Sequence, residues 1–497
     1  MGARDPRTAR LRSKLLRTFS RAAPVALALA CLGGSAAHAQ EGGFAWSQFQ
    51  GGPGHPGTVA QAPSPPYRQL WRFTPPEGSL SAAVITDDLA IAVGDQAVFA
   101  LDLATGDLTW EIPRDGGPLS TPALGTVGDR RVLVYLDGPP IEDQASPSPT
   151  ASPSPTASSS PTEGGASRDA TSSDLVAIDL ADRSELWRTT LDHRSRSGVT
   201  IDGDRAYVAD DEGTVYAVDL DGGGVGWTAD AAGRVESPVA VADGNVYVAA
   251  QAQDQPRVEM LALDAQSGEP AWPRFSTSGY LASAISAGDG VAVAAVDRVV
   301  RAFGADNGRV RWESLVHGLF WPVSAPAASE GAIFAADEPG GLYRIDASSG
   351  DRRWGHQTNE RVVRSSPVLA GGSVIVGLSG GELAAFDPSN GDLVWTTPAT
   401  PGYLGAIALS ADVLVAVKGG GGPGLVAFEH DPDASLGREV SPTVLDPAVL
   451  FGAFALAFVL AGVAILVPFR LVHGRIGPAF TRDAEGDAQA PPEEGRR

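Results

Sequence analysis

The sequence predicts an all-β fold, an eight-bladed β-propeller closed by an N-terminal strand, and three observations carry that expectation. The first is a repeat. The segment Ala100–Trp110, patterned as Ala-Φ-Asp, a glycine turn and then Trp, returns at Ala177–Trp187, Ala217–Trp227, Ala262–Trp272, Ala302–Trp312, Arg344–Trp354 and Ala385–Trp395. With Asp102, Asp179, Asp219, Asp264, Gly304, Asp346 and Asp387 aligned, Trp follows eight positions later in every copy. Gly stands four positions after that column in all copies except the one with Arg183. A register held that strictly marks a structural repeat. The second observation is spacing: from Trp71 to Trp395 the Trp intervals are 39, 77, 40, 45, 40, 42 and 41 residues. The third is a matching gap at the two ends. Tyr67–Phe73 reads as a lone fourth strand carrying Trp71, and Tyr403–Glu429 reads as a unit of three strands without a Trp. Pairing the two closes the ring and removes two exposed sheet edges.

In chain order, residues 1–39 read as a secretory signal peptide. A basic stretch from Arg4 to Arg21 leads into the apolar run Ala22–Leu32 and the Ala-x-Ala site Ala37-His38-Ala39. The run Leu27–Cys31 also fits a loose lipoprotein pattern, in which Cys31 would become a lipidated N-terminus. Residues 40–66 are rich in Gly and Pro and hold the phrase Trp46-Ser47-Gln48-Phe49-Gln50-Gly51-Gly52-Pro53. The propeller is expected over residues 67–430.

Each unit parses into four strands, with Val, Ile, Tyr and Phe at the positions a pleated, half-buried surface favours. In the unit ending at Trp272, strands are expected at Ser237–Val241, Asn245–Ala249, Val258–Leu263 and Glu269–Trp272, with Asp243-Gly244 as a two-residue hairpin turn. The opening phrase Ser237-Pro238 has counterparts in Ser120-Thr121-Pro122, Ser324-Ala325-Pro326 and Ser365-Ser366-Pro367. The long interval contains an insertion, residues 139–173, a Pro/Ser/Thr tract with almost no apolar side chains that cannot fold alone. It is expected as a solvated loop between strands at Val132–Leu136 and Leu175–Ile178, open to O-glycosylation.

A linker at 431–447 leads to Ala448–Val467, twenty residues without a charge. At ~1.5 Å per residue that run crosses a hydrocarbon core of about 30 Å, and a transmembrane helix is expected over 448–469. Arg470, His473 and Arg475 follow, and arginines belong on the cytoplasmic side. The propeller is therefore expected outside the plasma membrane of a bacterium, with the tail 470–497 inside.

Composition narrows function. The chain has 37 basic and 59 acidic residues, a net charge of −22. The part between residues 40 and 469 holds 25 basic against 53 acidic residues and stands at −28. Such a surface repels phosphates, which excludes nucleic acid as a partner. Cys31 is the only cysteine, so a processed chain has no disulfide, iron–sulfur cluster or c-type haem. Lysine is almost absent beside arginine, in keeping with a GC-rich genome.

Repeats of the form Ala-x-Asp-x-x-Thr-Gly-x-x-x-Trp resemble those of the pyrroloquinoline-quinone (PQQ) type β-propellers, a group that includes quinoprotein dehydrogenases and the outer-membrane assembly lipoprotein BamB. The resemblance implies that Trp71, Trp110, Trp187, Trp227, Trp272, Trp312, Trp354 and Trp395 dock between adjacent blades. It also implies an alternative activity, a sugar or alcohol dehydrogenase using PQQ with Ca²⁺. Quinoprotein dehydrogenases often carry a vicinal Cys–Cys disulfide and a catalytic Asp; this chain lacks the cysteines, and no Asp stands out from the repeat as a candidate. No cofactor is therefore expected.

Other motifs carry less. Gly377-Leu378-Ser379-Gly380-Gly381 matches a nucleophile elbow and Gly419–Gly424 matches Gly-x-Gly-x-x-Gly, but neither precedes a helix. Asp210-Asp211-Glu212-Gly213 lacks alternating ligand spacing and reads as a solvated hairpin. The histidines show no zinc spacing, and no metal site is expected. What remains is the set of loops leading from each outer strand to the next inner strand, which share one face of the ring. They hold Arg114, His193, Arg234, His317 and Phe320, and the candidate binding residues Arg194, Arg196, Arg361, Arg364 and Trp321. Arginines gathered at one mouth of an acidic ring suit an acidic ligand or protein partner. The sequence thus predicts a membrane-anchored extracytoplasmic propeller acting as a non-enzymatic binding or assembly scaffold, with a quinoprotein enzyme and a single-pass sensor as the alternatives.

Overall fold

Short Val-, Ile- and Tyr-rich runs between glycine turns fold, in a computed structural model, into antiparallel strands grouped in eight sheets. The structure describes residues 44–59, 61–139, 172–280, 282–322, 324–329, 331–434 and 443–444. The chain divides into two compact units, Met1–Val444 and Leu445–Arg497, and every described residue belongs to the first. The signal peptide 1–39, nearly all of the 139–173 insertion, the span 448–469 and the tail 470–497 lie outside the described residues. Among the described residues no helix is long and apolar enough to cross a membrane.

Each sheet is one blade of four strands in simple up-and-down order. Blade 1 is Val84–Ile85, Leu89–Val93, Ala97–Asp102 and Leu108–Pro113. Blades 2 to 7 repeat this order, opening at Ala123, Thr200, Ala240, Ser286, Ala327 and Val368. Blade 8 is composite: Tyr403–Leu409, Val413–Gly419 and Gly424–His430 are completed by the N-terminal strand Tyr67–Phe73, which pairs antiparallel from Tyr67↔His430 to Phe73↔Leu425. The ring closes as the end-to-end mismatch in the sequence requires. On blade 6 the outer strand Arg352–Gln357 carries a short fifth strand, Thr443–Val444.

The insertion is tolerated because it leaves from a clamped hairpin. Strands Arg130–Asp137 and Asp174–Asp179 flank it, and Arg188 bridges their ends, 3.0 Å to Asp137 and 3.1 Å to Asp174. One strand differs from its expected place. The fourth strand of blade 4 is Phe275–Ser278, not Glu269–Trp272. Pro270 and Pro273 supply no N–H to a ladder, so only an isolated bridge at Leu263↔Pro270 forms before regular pairing starts at Phe275.

The repeat columns have separable roles. Each Asp caps its own turn: Asp102 accepts N–H bonds from Ala104 and Thr105 at 3.0 and 2.8 Å, and Asp264 and Asp346 do the same two and three residues on. These bonds hold the Asp264, Asp346 and Asp387 carboxyls below the usual carboxylate range, the serine hydroxyl of each turn being the main cause. Each Trp docks on the next blade. Trp71, Trp187, Trp227, Trp312 and Trp354 donate their indole N–H to Leu103, Leu220, Ala265, Ala347 and Pro388, the residue after the Asp column. The ring then lies on the turn glycine; at Gly268 (φ +73) a Cβ would come within 2.6 Å of the Trp227 indole. Departures in sequence are departures in structure. Trp272 faces the blade whose column residue is Gly304, and its N–H lacks an acceptor among the described residues. Trp395 faces blade 8, which has no such turn, and packs edge-to-face on Tyr67 at 5.4 Å. Arg183 fills the glycine position with φ +65.

Up-and-down order gives the ring two different faces. Hairpins joining second to third strands, and the connectors from an outer strand to the next blade, form a connector face. First-to-second and third-to-fourth turns, with the Asp column, form the opposite, turn face.

Candidate functional site

The Gly/Pro-rich segment ahead of the first strand is the centre of the molecule. Residues 46–58 run around the inner strands as a strap and bond the second residue of the innermost strand in seven consecutive blades. Trp46 pairs with Ile85 through two bonds, at 3.1 and 2.8 Å. Leu124 N–H donates to Ser47 O, Val241 to Pro53 O, Ala287 to Gly54 O, Ala328 to Pro56 O and Leu369 to Gly57 O, all between 2.7 and 3.1 Å. In blade 3 the Gln48 amide replaces the backbone, accepting from Ile201 N–H at 2.7 Å and donating to Ile201 O at 3.0 Å. An innermost strand is a sheet edge with free N–H groups, and the strap satisfies one of them per blade. Glycine is needed at the tightest point: a Cβ on Gly54 would stand 2.2 Å from the Ala287 carbonyl oxygen.

The strap's side chains join the blade cores: Phe44, just ahead of it, packs with Val84 and Leu124, Trp46 with Ile85, and Phe49 with Ala284 and Ala325. Phe44, Trp46, Gln48, Phe49, Gln50 and His55 are all buried. His55 meets the Phe49 ring edge-on at 4.9 Å. Its Nδ1 lies 2.7 Å from Ile285 O, and a carbonyl only accepts, so Nδ1 carries the proton and Nε2 is an enclosed acceptor with no donor among the described residues. Burial lowers the His55 pKa to about 4, against the raising effect of the Ile285 bond.

This shift has a signed consequence. Between about pH 6.5 and pH 4 the unfolded chain binds a proton at His55 that the folded chain refuses, so stability is complete above pH 6.5 and falls as the pH drops. The expected loss by pH 4 is roughly 3 kcal/mol. Chemical denaturation of the wild type and of His55→Gln across that window checks it: the slope assigned to His55 should be missing from the variant.

The predicted binding residues all fall on connector-face loops, but in different electrostatic states. Arg196 lies 3.6 Å from Asp211, and Arg361 is ion-paired with Glu338. Arg194 is half-buried, and its carbonyl accepts the Asp211 N–H at 2.6 Å. Arg364 is exposed, at φ +49, with no ion pair among the described residues. Trp321 is half-buried; its carbonyl holds both the N–H and the hydroxyl of Ser324, and its indole N–H has no acceptor among the described residues. Two other members of these loops are structural: Arg114 is buried beside Asp137, and Phe320 is buried.

Several polar groups are more buried than the sequence implies. Asp210, expected in a solvated hairpin, is fully enclosed and takes bonds from the Glu212 and Thr214 N–H groups and the Tyr216 hydroxyl. Asp337 does the same in blade 6 with Gly318, Gly341 and Tyr343, and burial raises its pKa. The only hint in the sequence is an Asp ending a second strand six residues before a Tyr. The Gly419–Gly424 stretch is the cage of an internal cation: Lys418 Nζ donates to the carbonyls of Gly420, Gly421 and Gly422 at 2.9–3.1 Å. Among the described residues, no group of three or more His, Cys, Asp or Glu stands where it could hold a metal ion. Two shallow depressions of about 310 and 340 Å³ lie on the rim of blades 3 and 4, around Gln255 and Arg257.

Eight Trp-docked blades, closed by an N-terminal strand and threaded by a strap, define a repeat-built propeller with one loop-rich face. The family model described as outer membrane protein assembly factor BamB matches residues 171–318 and 274–416. Over those residues the chain carries the PQQ-like, BamB-like β-propeller repeat. It is 29% identical over 180 residues to BamB of Burkholderia pseudomallei, covering 35% of this chain and 45% of that one. It is also 29% identical over 189 residues to the serine/threonine-protein kinase AfsK of Streptomyces griseus, covering 34% of this chain and 23% of the kinase. The match therefore spans less than half the length of either relative. Among solved structures, BamB of Moraxella catarrhalis superposes over 73% of this chain and all of that chain, with TM-score 0.51 and 15% identity. A europium-containing methanol dehydrogenase superposes over 78% and 91%, with TM-score 0.56 and 11% identity. At those identities the likeness is one of fold.

Proposed function

We propose that this protein is a membrane-anchored, extracytoplasmic propeller that serves as a non-enzymatic binding or assembly scaffold, with the connector face as its working surface. The observation that carries the proposal is the strap. Residues 46–58 line the innermost strands of seven blades, around the axis where a propeller could house a flat cofactor, leaving the loops as the surface on which variation can act. The residues present do not fit PQQ with Ca²⁺: the strap is bonded to the innermost strands of seven blades, the sequence has a single cysteine, and the buried Asp210 and Asp337 each already accept three hydrogen bonds from protein donors.

Two further features support the reading. The B. pseudomallei relative is named as an assembly factor of outer membrane proteins. Residues 448–467 are uncharged and are followed by Arg470 and Arg475, which favours one plasma-membrane crossing with the tail inside. A sensor is the second reading, favoured by the partial likeness to a kinase. On the scaffold reading, Arg194, Arg196, Arg361 and Arg364, with Trp321, contribute to recognition of an acidic partner.

The test is a photo-crosslinking amino acid placed at Arg364 on the connector face and at Asp107 on the turn face, in cells. A discrete heavier adduct is expected from position 364 and none from 107. Adducts from 107 alone would assign the work to the other face.

A further inference from the structure

We infer that the connector-face corner of blade 5, formed by Tyr280, Leu315, Leu319 and Arg298, is a docking surface for a protein segment presenting an apolar side chain flanked by a carboxylate. The inference rests on the scaffold reading and gives it a location. Tyr280 is 72% exposed, Leu315 68% and Leu319 41%, three large apolar side chains in one region of an acidic protein. They are held together by the hairpin Asp297–Arg298. Tyr280 N–H donates to the Asp297 carboxylate at 3.0 Å, Val299 pairs with Leu315, and Val316 N–H donates to Arg298 O at 2.9 Å. Three residues further on, the Leu319 carbonyl accepts Glu338 N–H at 2.7 Å, which fixes the loop against blade 6.

The repeat itself shows that this corner is a departure. Leu315 ends its outer strand opposite the first residue of the third strand. The same register place is held by Pro113 in blade 1, Thr190 in blade 2, Asp230 in blade 3, Ser278 in blade 4 and Gln357 in blade 6. Folding of the blade therefore does not ask for leucine there, and an exposed leucine costs solubility without stabilising the core. Grouped exposed apolar side chains beside an arginine have the composition of an interface anchor.

Charge selects the occupant. Arg298 is exposed and has no ion pair among the described residues, so it offers a guanidinium fork to a carboxylate. An anionic lipid surface or a second copy would set many negative charges against the −28 body, whereas a short segment sets a single carboxylate against Arg298.

The experiment pans a displayed library of random short peptides against the full chain purified in detergent, then measures the enriched peptides on Leu315→Ser, Tyr280→Ser and Arg298→Glu. Enriched sequences should place Asp or Glu beside Leu, Phe or Tyr. Their affinity should fall roughly tenfold or more on each variant, while melting temperatures stay put because the replaced side chains are exposed. Peptides that bind all three variants as well as the wild type would overturn the blade 5 site and leave the scaffold reading standing. Three other results would overturn the assigned occupant. One is a pool without acidic–apolar sequences. Another is co-sedimentation with phosphatidylglycerol vesicles that Leu315→Ser abolishes, and the last is a dimer that the same variant disperses.

Discussion

Deletion of Tyr67–Phe73 is expected to leave a chain that no longer unfolds as one cooperative ring. This strand holds both neighbours of blade 8 at once. Tyr67 packs edge-to-face on Trp395 of blade 7, and Trp71 reaches blade 1, donating to Leu103 O at 2.8 Å. Both aromatic side chains are buried in one cluster with Leu101, Leu404 and Phe428. Removing either corresponds to a buried aromatic truncation, about 3–5 kcal/mol. Removing both, with a full ladder of backbone bonds, meets or exceeds the ~5–15 kcal/mol by which domains are stable. Calorimetry and near-ultraviolet dichroism should show loss of the cooperative transition. A deletion variant melting with the wild type would mean that the ring does not depend on its shared blade. The point version, Trp71→Ala, should cost about 3–5 kcal/mol and leave a lowered but single transition. Trp227→Ala should cost less, because Trp227 is only half-buried.

The second large effect belongs to the strap. Trp46→Ala should destabilise by about 3–5 kcal/mol, although its residue sits in a stretch with the composition of a linker. The ring is buried against Gly51, and the backbone of Trp46 makes the two-bond pairing with Ile85 that starts the strap's circuit. Gln48→Ala should add a cost of different origin. It strips partners from the Ile201 N–H and C=O, and a buried unsatisfied backbone group costs roughly 1–3 kcal/mol. Val394→Ala, at an exposed blade position, is the matched control and should change stability by no more than about 0.5 kcal/mol. Equal melting of Trp46→Ala and the control would show that the strap is not part of the folded core.

The contrast between these two elements explains what is legible in the sequence. The ring can be read because Trp docks on the next blade, Asp caps a turn and Gly makes room for the indole, in unit after unit. Even the exceptions, Gly304 and Arg183, mark real irregularities. The strap cannot be read because its contacts run through backbone carbonyls, which leave no trace in side-chain pattern. They also join residues such as His55 and Ile285 that are far apart in sequence. Trp46 and Phe49, two aromatics in a Gly/Pro-rich stretch, are its only signal. The fourth strand of blade 4 departs from the Trp register because Pro270 and Pro273 forbid a ladder there. For the site arginines, repeat topology reveals their common face, while pairing of Arg196 with Asp211 and of Arg361 with Glu338 depends on acids from other loops.

Titration of PQQ with Ca²⁺ into the full chain, followed by absorbance and by dehydrogenase assay with sugars and alcohols, tests the central claim most directly. With the strap lodged across seven blades, no saturable binding and no substrate-dependent dye reduction are expected, in the wild type at neutral pH. Stoichiometric binding of the quinone accompanied by substrate oxidation would contradict the scaffold assignment and return this propeller to the enzymes whose fold it shares.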